Sequence, residues 1–394
     1  MGKGKAAILA ILSVGLPWGL AAAGPNPQGG PELTAEQLLG KKAEDVYKNI
    51  KALNGVPADQ VVPAMQFITA SLGADCEYCH VRGAMEKDDK LPKVTARKMM
   101  QMMFAINKEN FEGKREVTCY SCHHGSHEPV PTPIIAEGAE PPPPGGSAMG
   151  GHGAAGGPSA AEPGGPGAPP RPPALPAADA LLQKYVLALG GADALEKITS
   201  RVEKGTITAF GNRQFPIEVF AKAPNKRMSV MHMENGESIT AFDGQTGWLA
   251  FGQRPPREMT APEAEGALLD ADFHFATDIK QLYNRFRVFP PEKVGDHEAY
   301  VVVARAEGRP PLRLFFDKDS GLLVRLIRNE DTPLGMNPTQ IDYADFRDAE
   351  GVKVPYRWTL ARPGGRFTIQ VDEIQQNVPV DDAKFAMPAA KASP

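Results

Sequence analysis

Cys76-Glu77-Tyr78-Cys79-His80 and, further on, Cys119-Tyr120-Ser121-Cys122-His123 use all four cysteines of the 394-residue chain. Each is a C-x-x-C-H pattern. Two thiols one helical turn apart can each add to a vinyl group on one edge of a porphyrin, and the following imidazole then sits beneath the iron as an axial ligand. Two other chemistries use paired cysteines. A zinc site built from two C-x-x-C pairs has about 15–20 residues between them, whereas 39 residues separate Cys79 from Cys119 and neither histidine would be needed. A thiol–disulfide exchange motif expects a βαβ setting and no histidine after the second cysteine. The pattern predicts two covalent haem c groups, attached at Cys76, Cys79, Cys119 and Cys122, with His80 and His123 on the irons.

The flanks of both motifs are helical. Thr34-Ala35-Glu36-Gln37 has capping-box spacing, and Leu39, Ala43, Val46, Ile50 and Leu53 follow at steps of three or four, which predicts one amphipathic helix ending before Gly55 and Pro57. Asp59 as N-cap, Pro63 in the first turn and the stripe Val61, Met65, Ile68 and Leu72 predict a second helix that stops at Gly73. A third is expected over 94–107. The sixth iron ligand sets what a c-type haem does: a methionine thioether raises the potential, a second histidine lowers it, and an empty position admits small ligands. Met65 lies eleven residues ahead of Cys76 and Met99 twenty ahead of Cys119, with Met100, Met102 and Met103 as neighbours of Met99. His124, next to a ligand, is read as a surface or propionate contact. His127 and His152 are read as solvated, and Arg97 as solvated or as a partner for a propionate.

Met65, Ser71-Leu72-Gly73-Ala74-Asp75 leading into Cys76, then Ala96-Arg97-Lys98-Met99 with Ile106-Asn107, and Val117-Thr118 leading into Cys119 resemble the tetrahaem cytochrome subunit of bacterial photosynthetic reaction centres. The resemblance covers roughly a hundred residues and two of that family's four haem units. In each such unit a helix carrying the methionine ligand is followed by a turn and the C-x-x-C-H segment. The resemblance implies Met65 and Met99 as the sixth ligands, and a membrane electron-transfer complex among the partners. His124 stands where that family usually has a basic residue after the second histidine.

Lys3 and Lys5, an uncharged run from Ala6 to Leu20 and Ala21-Ala22-Ala23 predict an export signal over 1–23 and a periplasmic or otherwise extracytoplasmic protein. Between Pro131 and Pro176, 25 of 46 residues are Pro or Gly; such a stretch cannot bury enough apolar surface to offset its ordering entropy and favours extended polyproline II. It reads as a tether, over 131–176, between a helical dihaem module at 31–130 and a second module at 178–390. The second module opens with a helix over 180–189 and continues with strand-like runs at 215–222, 227–233, 237–242, 246–251, 299–304, 312–317, 321–328, 352–360 and 366–374, with one helical candidate over 263–286. The expected fold is therefore α+β and multidomain, its second module a curved antiparallel sheet covered by helices. Asp342-Tyr343-Ala344-Asp345-Phe346, leading to Gly351-Val352-Lys353-Val354-Pro355, adds to an architecture similar to the lipoprotein-carrier half-barrels, which hold acyl chains or lipids; that resemblance implies a hydrophobic ligand for this module. Asp317-Lys318-Asp319-Ser320-Gly321 resembles the start of a calcium loop but lacks the later Glu, so a tight turn is expected.

A net charge of -4 lacks the basic footprint of nucleic-acid binding. No Ser/His/Asp set or carboxylate pair stands out. The expected function is single-electron transfer between redox partner proteins, without substrate turnover. The alternatives are a dihaem peroxidase, with one iron left open, and a redox or ligand sensor that uses the second module.

Overall fold

The computed structural model describes residue 33 and residues 35–129, 175–209, 212–363 and 365–388. The export signal, most of the Pro/Gly segment, Thr34 and His152 lie outside the described residues. The first helix expected from periodicity is replaced by two single turns, α1 (Ala35–Leu38) and α2 (Ala43–Val46). Gly40 at φ 70° ends the first turn, Lys42 bridges to Pro57, and Asn49 at φ 60° turns the chain again to place its amide on Asp88. A 3₁₀ turn (Ala58–Gln60) leads into α3 (Val61–Leu72), capped by left-handed Gly73. The motifs form the short α4 (Cys76–Cys79) and α6 (Tyr120–His123), on either side of the long α5 (Leu91–Asn110).

The second part begins with α7 (Ala178–Leu189) and α8 (Ala192–Glu196). It then lays down β1 (Ser200–Ala209), β2 (Arg213–Lys222), β3 (Lys226–Met233), β4 (Gly236–Phe242), β5 (Gly247–Gly252) and β6 (Arg257–Glu258). After α9 (Ala261–Ala271) and α10 (Phe275–Leu282) come β7 (Arg285–Val294), β8 (His297–Ala306), β9 (Arg309–Asp317), β10 (Leu323–Thr332), β11 (Gly335–Ala349), β12 (Val352–Arg362) and β13 (Gly365–Gln376). All the strands join one antiparallel sheet in the order β6-β5-β4-β3-β2-β1-β13-β12-β11-β10-β9-β8-β7. The chain thus leaves the middle of the sheet along one meander, crosses from edge to edge through α9 and α10, and returns along the other.

That crossing requires curvature. Thirteen flat strands at about 4.8 Å spacing would be nearly 60 Å wide, while two helices of this length reach about 30 Å end to end. The sheet must curl, and α9 accordingly touches β3, β4 and β5 of one half and β10 of the other. The single helix expected over 263–286 is broken at Asp272, whose ψ of 104° leaves the helical region, and Arg285 already belongs to β7. Strands β1, β6, β7 and β11 lie outside the expected runs. Charged residues interrupt their apolar alternation, and β7 carries Pro290-Pro291 across a register shift between Phe289 and Glu292. The 317–321 segment is a tight turn: Gly321 N–H donates to the Asp317 carbonyl at 2.9 Å, and Asp317 accepts from the Ser320 N–H.

The two parts meet at the β10–β11 hairpin. Leu334, at its tip and fully buried, packs with Leu53, Phe67, Met100 and Met103 of the helical part. Asn337 Nδ2 donates to the Pro63 carbonyl at 2.9 Å, and Arg115 grips Asp331 and the Thr332 carbonyl. Gly335 lies so close to the Phe67 ring that a Cβ there would collide with it.

Candidate functional site

Each C-x-x-C-H segment closes one helical turn. His80 N–H donates to the Cys76 carbonyl at 3.0 Å, and His123 N–H to the Cys119 carbonyl at 3.1 Å. Residues three apart on a helix share a face, so each pair of thiols faces the same way. Asp75 caps the first turn by accepting from the Tyr78 N–H at 2.8 Å; the Thr118 N–H donates to Ser121 Oγ at 3.0 Å at the second. Asn107, buried at the end of α5, accepts from the N–H groups of Glu116 and Val117 and donates to the Val117 carbonyl at 2.7 Å. It fixes the segment that delivers Cys119. Nothing local in the sequence marks Asn107 as a clamp.

The histidines share one arrangement. Nδ1 of His80 lies 2.9 Å from the Met85 carbonyl, and Nδ1 of His123 lies 2.9 Å from the Ser126 carbonyl. A carbonyl only accepts, so Nδ1 carries the proton and Nε2 keeps its lone pair. Metal-bound histidines are commonly oriented in this way. Burial also pushes the His80 imidazole below its usual range, which keeps it neutral and able to ligate. All four cysteines are free, and burial pushes the thiols of Cys76, Cys79 and Cys119 above their usual range. Among the described residues, no three His, Cys, Asp or Glu side chains converge as a metal site.

The two motifs are neighbours. The Gly125 N–H, just past the second motif, donates to the Ser71 carbonyl at 2.9 Å, and Gly73 sits so close beneath Gly125 that a Cβ would overlap its carbonyl. The His127 ring lies 5.4 Å from that of Tyr78 inside the first motif, and the His124 ring 5.5 Å from that of Tyr120. Each motif also touches the helix ahead of the other, α6 on α3 and α4 on α5. Met65 is half-buried and borders the apolar cluster that Cys119 also borders. On α5, Met100 and Met103 are spent in that cluster, while Met99 and Met102 stay at the surface, 40% and 48% exposed. Arg97 is held elsewhere: Nη1 donates to Asp88 at 2.8 Å and Nη2 to the Asn49 carbonyl. Arg97, followed by Lys51, holds the Asp88 carboxyl far below the usual carboxylate range, and buried Lys93 reaches the Met85 carbonyl from the same cluster. The loop that orients His80 is therefore anchored by charge.

These residues fit a porphyrin. Eight of the twelve large apolar side chains left exposed among the described residues belong to the smaller helical part, Tyr78, Tyr120, Met99, Met102 and Phe104 among them. Apolar surface of that extent is what the two faces of a haem would cover.

The family model described as photosynthetic reaction centre cytochrome C subunit matches residues 25–152. The photosynthetic reaction center cytochrome c subunit of Thermochromatium tepidum is 35% identical over 103 residues, 25% of this chain and 25% of that protein. That of Roseobacter denitrificans is 35% identical over 114 residues, 26% and 28% of the two chains. Cytochrome c-554 of Chloroflexus aurantiacus is 29% identical over 85 residues, 20% of each. For the second part, a DUF1329 family protein from Desulfovibrio piger aligns with 54% of this chain and 98% of its own at 12% identity and a TM-score of 0.39. A LolA superfamily protein from Nitrosomonas europaea aligns with 53% and 97% at 14% identity and a TM-score of 0.36. This chain spans only about a quarter of the length of the curated relatives it matches, and over that stretch it is similar to reaction centre cytochrome c subunits.

Proposed function

We propose that this chain is an exported dihaem c-type cytochrome that passes single electrons between redox partners, a membrane electron-transfer complex among them. The proposed layout is an export signal at 1–23, a dihaem module at 31–130, a Pro/Gly tether at 131–176 and a β-rich module at 178–390. The observation that carries the reading is the pair of motif histidines, each with Nδ1 tied to a backbone carbonyl and Nε2 left with its lone pair. Bound haem would supply reversible one-electron chemistry at iron. The chain's own residues do the rest. Cys76 and Cys79, and Cys119 and Cys122, would hold the two porphyrins by thioethers; His80 and His123 would ligate from one side, and Met65 and Met99 from the other. The Asp88 cluster and Asn107 hold the backbone on which the histidines are aimed, so little reorganisation accompanies a change of charge at iron. The 1050 Å³ cavity of the β-rich module would hold a hydrophobic ligand.

Mass spectrometry of the exported protein, followed by a redox titration of its absorption spectrum, tests this. Two covalent haems per chain and two reversible one-electron transitions are expected. Met65→Ala and Met99→Ala should each lower one potential and remove methionine-to-iron absorption. An unmodified chain overturns the reading. A high-spin iron that neither substitution alters makes the protein a dihaem peroxidase instead.

A further inference from the structure

A cavity of about 1050 Å³ lies inside the curl of the sheet, beneath α9, and extends to the helical part. Leu326, Ile341, Tyr343, Trp358 and Leu360 give it an apolar wall. Its rim includes Val62, Pro63 and Gln66 of α3, on either side of Met65, and Arg115, four residues ahead of Cys119. Within it, Arg328 and Glu330 lie two residues apart on β10 and so share one face of the sheet. Glu330 Oε1 and Arg328 Nη1 are buried and have no hydrogen-bond partner. Glu263 of α9 is occupied by Arg257 and Thr260, and Arg328 Nη2 by Asp270. An acceptor and a donor are thus left side by side at an apolar wall.

A single group that both donates and accepts satisfies that pair. A carboxylate or phosphate head would meet the Glu330 carboxylate and the nearby Glu263 with like charge, whereas a phenolic hydroxyl donates to Glu330 while accepting from Arg328. We propose that the cavity binds a hydroquinone of the lipid-soluble kind and that its oxidation delivers electrons to the two haems, with Glu330 accepting a proton. This rests on the reading of the two C-x-x-C-H motifs as haem sites. The hydroquinone loses two electrons, one to each ferric haem, and two protons, one to the Glu330 carboxylate and one to water at the cavity mouth, and leaves as the quinone. Burial, with Glu263 and Asp59 adding to it and Arg362 and Arg328 opposing, raises the Glu330 carboxyl to about 7. A base poised near the working pH is what such a transfer requires.

The test uses the haem-loaded protein. Calorimetric titration with oxidised decylubiquinone reads binding without any redox step, and stopped-flow mixing with decylubiquinol reads haem reduction. The expected result is that the quinone binds, that the hydroquinone reduces the haems, and that Glu330→Gln slows this reduction by at least about tenfold and removes its rise through neutral pH. Reduction by dithionite should stay as in the parent. Ala267→Trp, which fills the cavity from α9, should abolish the heat of binding and the hydroquinone reaction together. Absence of quinone binding to a protein whose haems dithionite reduces overturns this proposal alone, as does dodecanoate binding in place of the quinone; absence of haem overturns the proposed function as well. Unchanged reduction in Glu330→Gln, or unchanged binding in Ala267→Trp, also overturns the proposal.

Discussion

The helical part and the β-rich part of this chain bury their apolar residues in opposite ways. The sheet curls around a core of its own: Leu312, Leu314, Phe315, Phe316, Val301 and Val302 are essentially fully buried without any added group. The helical part has a small core around Leu53, Ala64, Phe67 and Met103, borrows Leu334 from the β10–β11 hairpin to complete it, and leaves eight large apolar side chains exposed. The difference teaches that a module of about a hundred residues, four of whose six α-helices are single turns, has little core of its own. It leans on its neighbour and, in the proposed function, on covalent haem.

The largest effect should come from cutting that support. Leu334→Ala removes a fully buried side chain from the shared core and should cost about 3 kcal/mol. Calorimetry is expected to show the joint unfolding transition split in two, the helical part melting first. A single undivided transition would break the contrast between the parts. Asn107→Ala strips partners from the backbone that carries Cys119 and should cost about 2 kcal/mol. Denaturant titration should show the loss in the helical part alone.

The parts should also respond to pH with opposite signs. Asp88 has a folded pKa far below its unfolded value, so its contribution is present above about pH 4 and is lost as the pH falls below that. Asp88→Asn should flatten the acid limb of the helical part's stability curve. Glu330 is raised to about 7. The folded β-rich part therefore holds a proton that the unfolded chain releases near pH 4, and its stability falls as pH rises from about 4 through 7. Glu330→Gln should restore about 2 kcal/mol at pH 8, measured by urea midpoints at several pH values. The smallest effect is expected from Arg115→Ala, which removes the partly exposed bridge to Asp331 and should cost about 1 kcal/mol, less at high salt.

Much of the local structure was legible in the chain. The C-x-x-C-H spacing, the α3 stripe ending at Gly73 and most of the strands of the second part follow from periods and turn residues. What was hidden depended on partners distant in sequence. The helix expected to run through Leu39 and Leu53 had the right apolar spacing, but Pro57 captures Lys42 and Asp88 captures Asn49, so the chain folds back instead. Strand β11 did not stand out because Asp342, Asp345 and Asp348 break its alternation; Arg325 on the neighbouring strand pairs with Asp342. Arg97 could have been solvated or held by a propionate; the structure spends it on Asp88.

By itself the sequence pointed to haem at the two motifs, because two thiols and an imidazole at C-x-x-C-H spacing suit the edge of one porphyrin. Only the tertiary structure decided that the motifs lie side by side, that Met100 and Met103 are spent in the core while Met99 is not, and that Arg328 and Glu330 face a cavity bordered by α3. Those outcomes depend on which surfaces a curled sheet brings together, and contacts between residues hundreds of positions apart leave no local pattern to read.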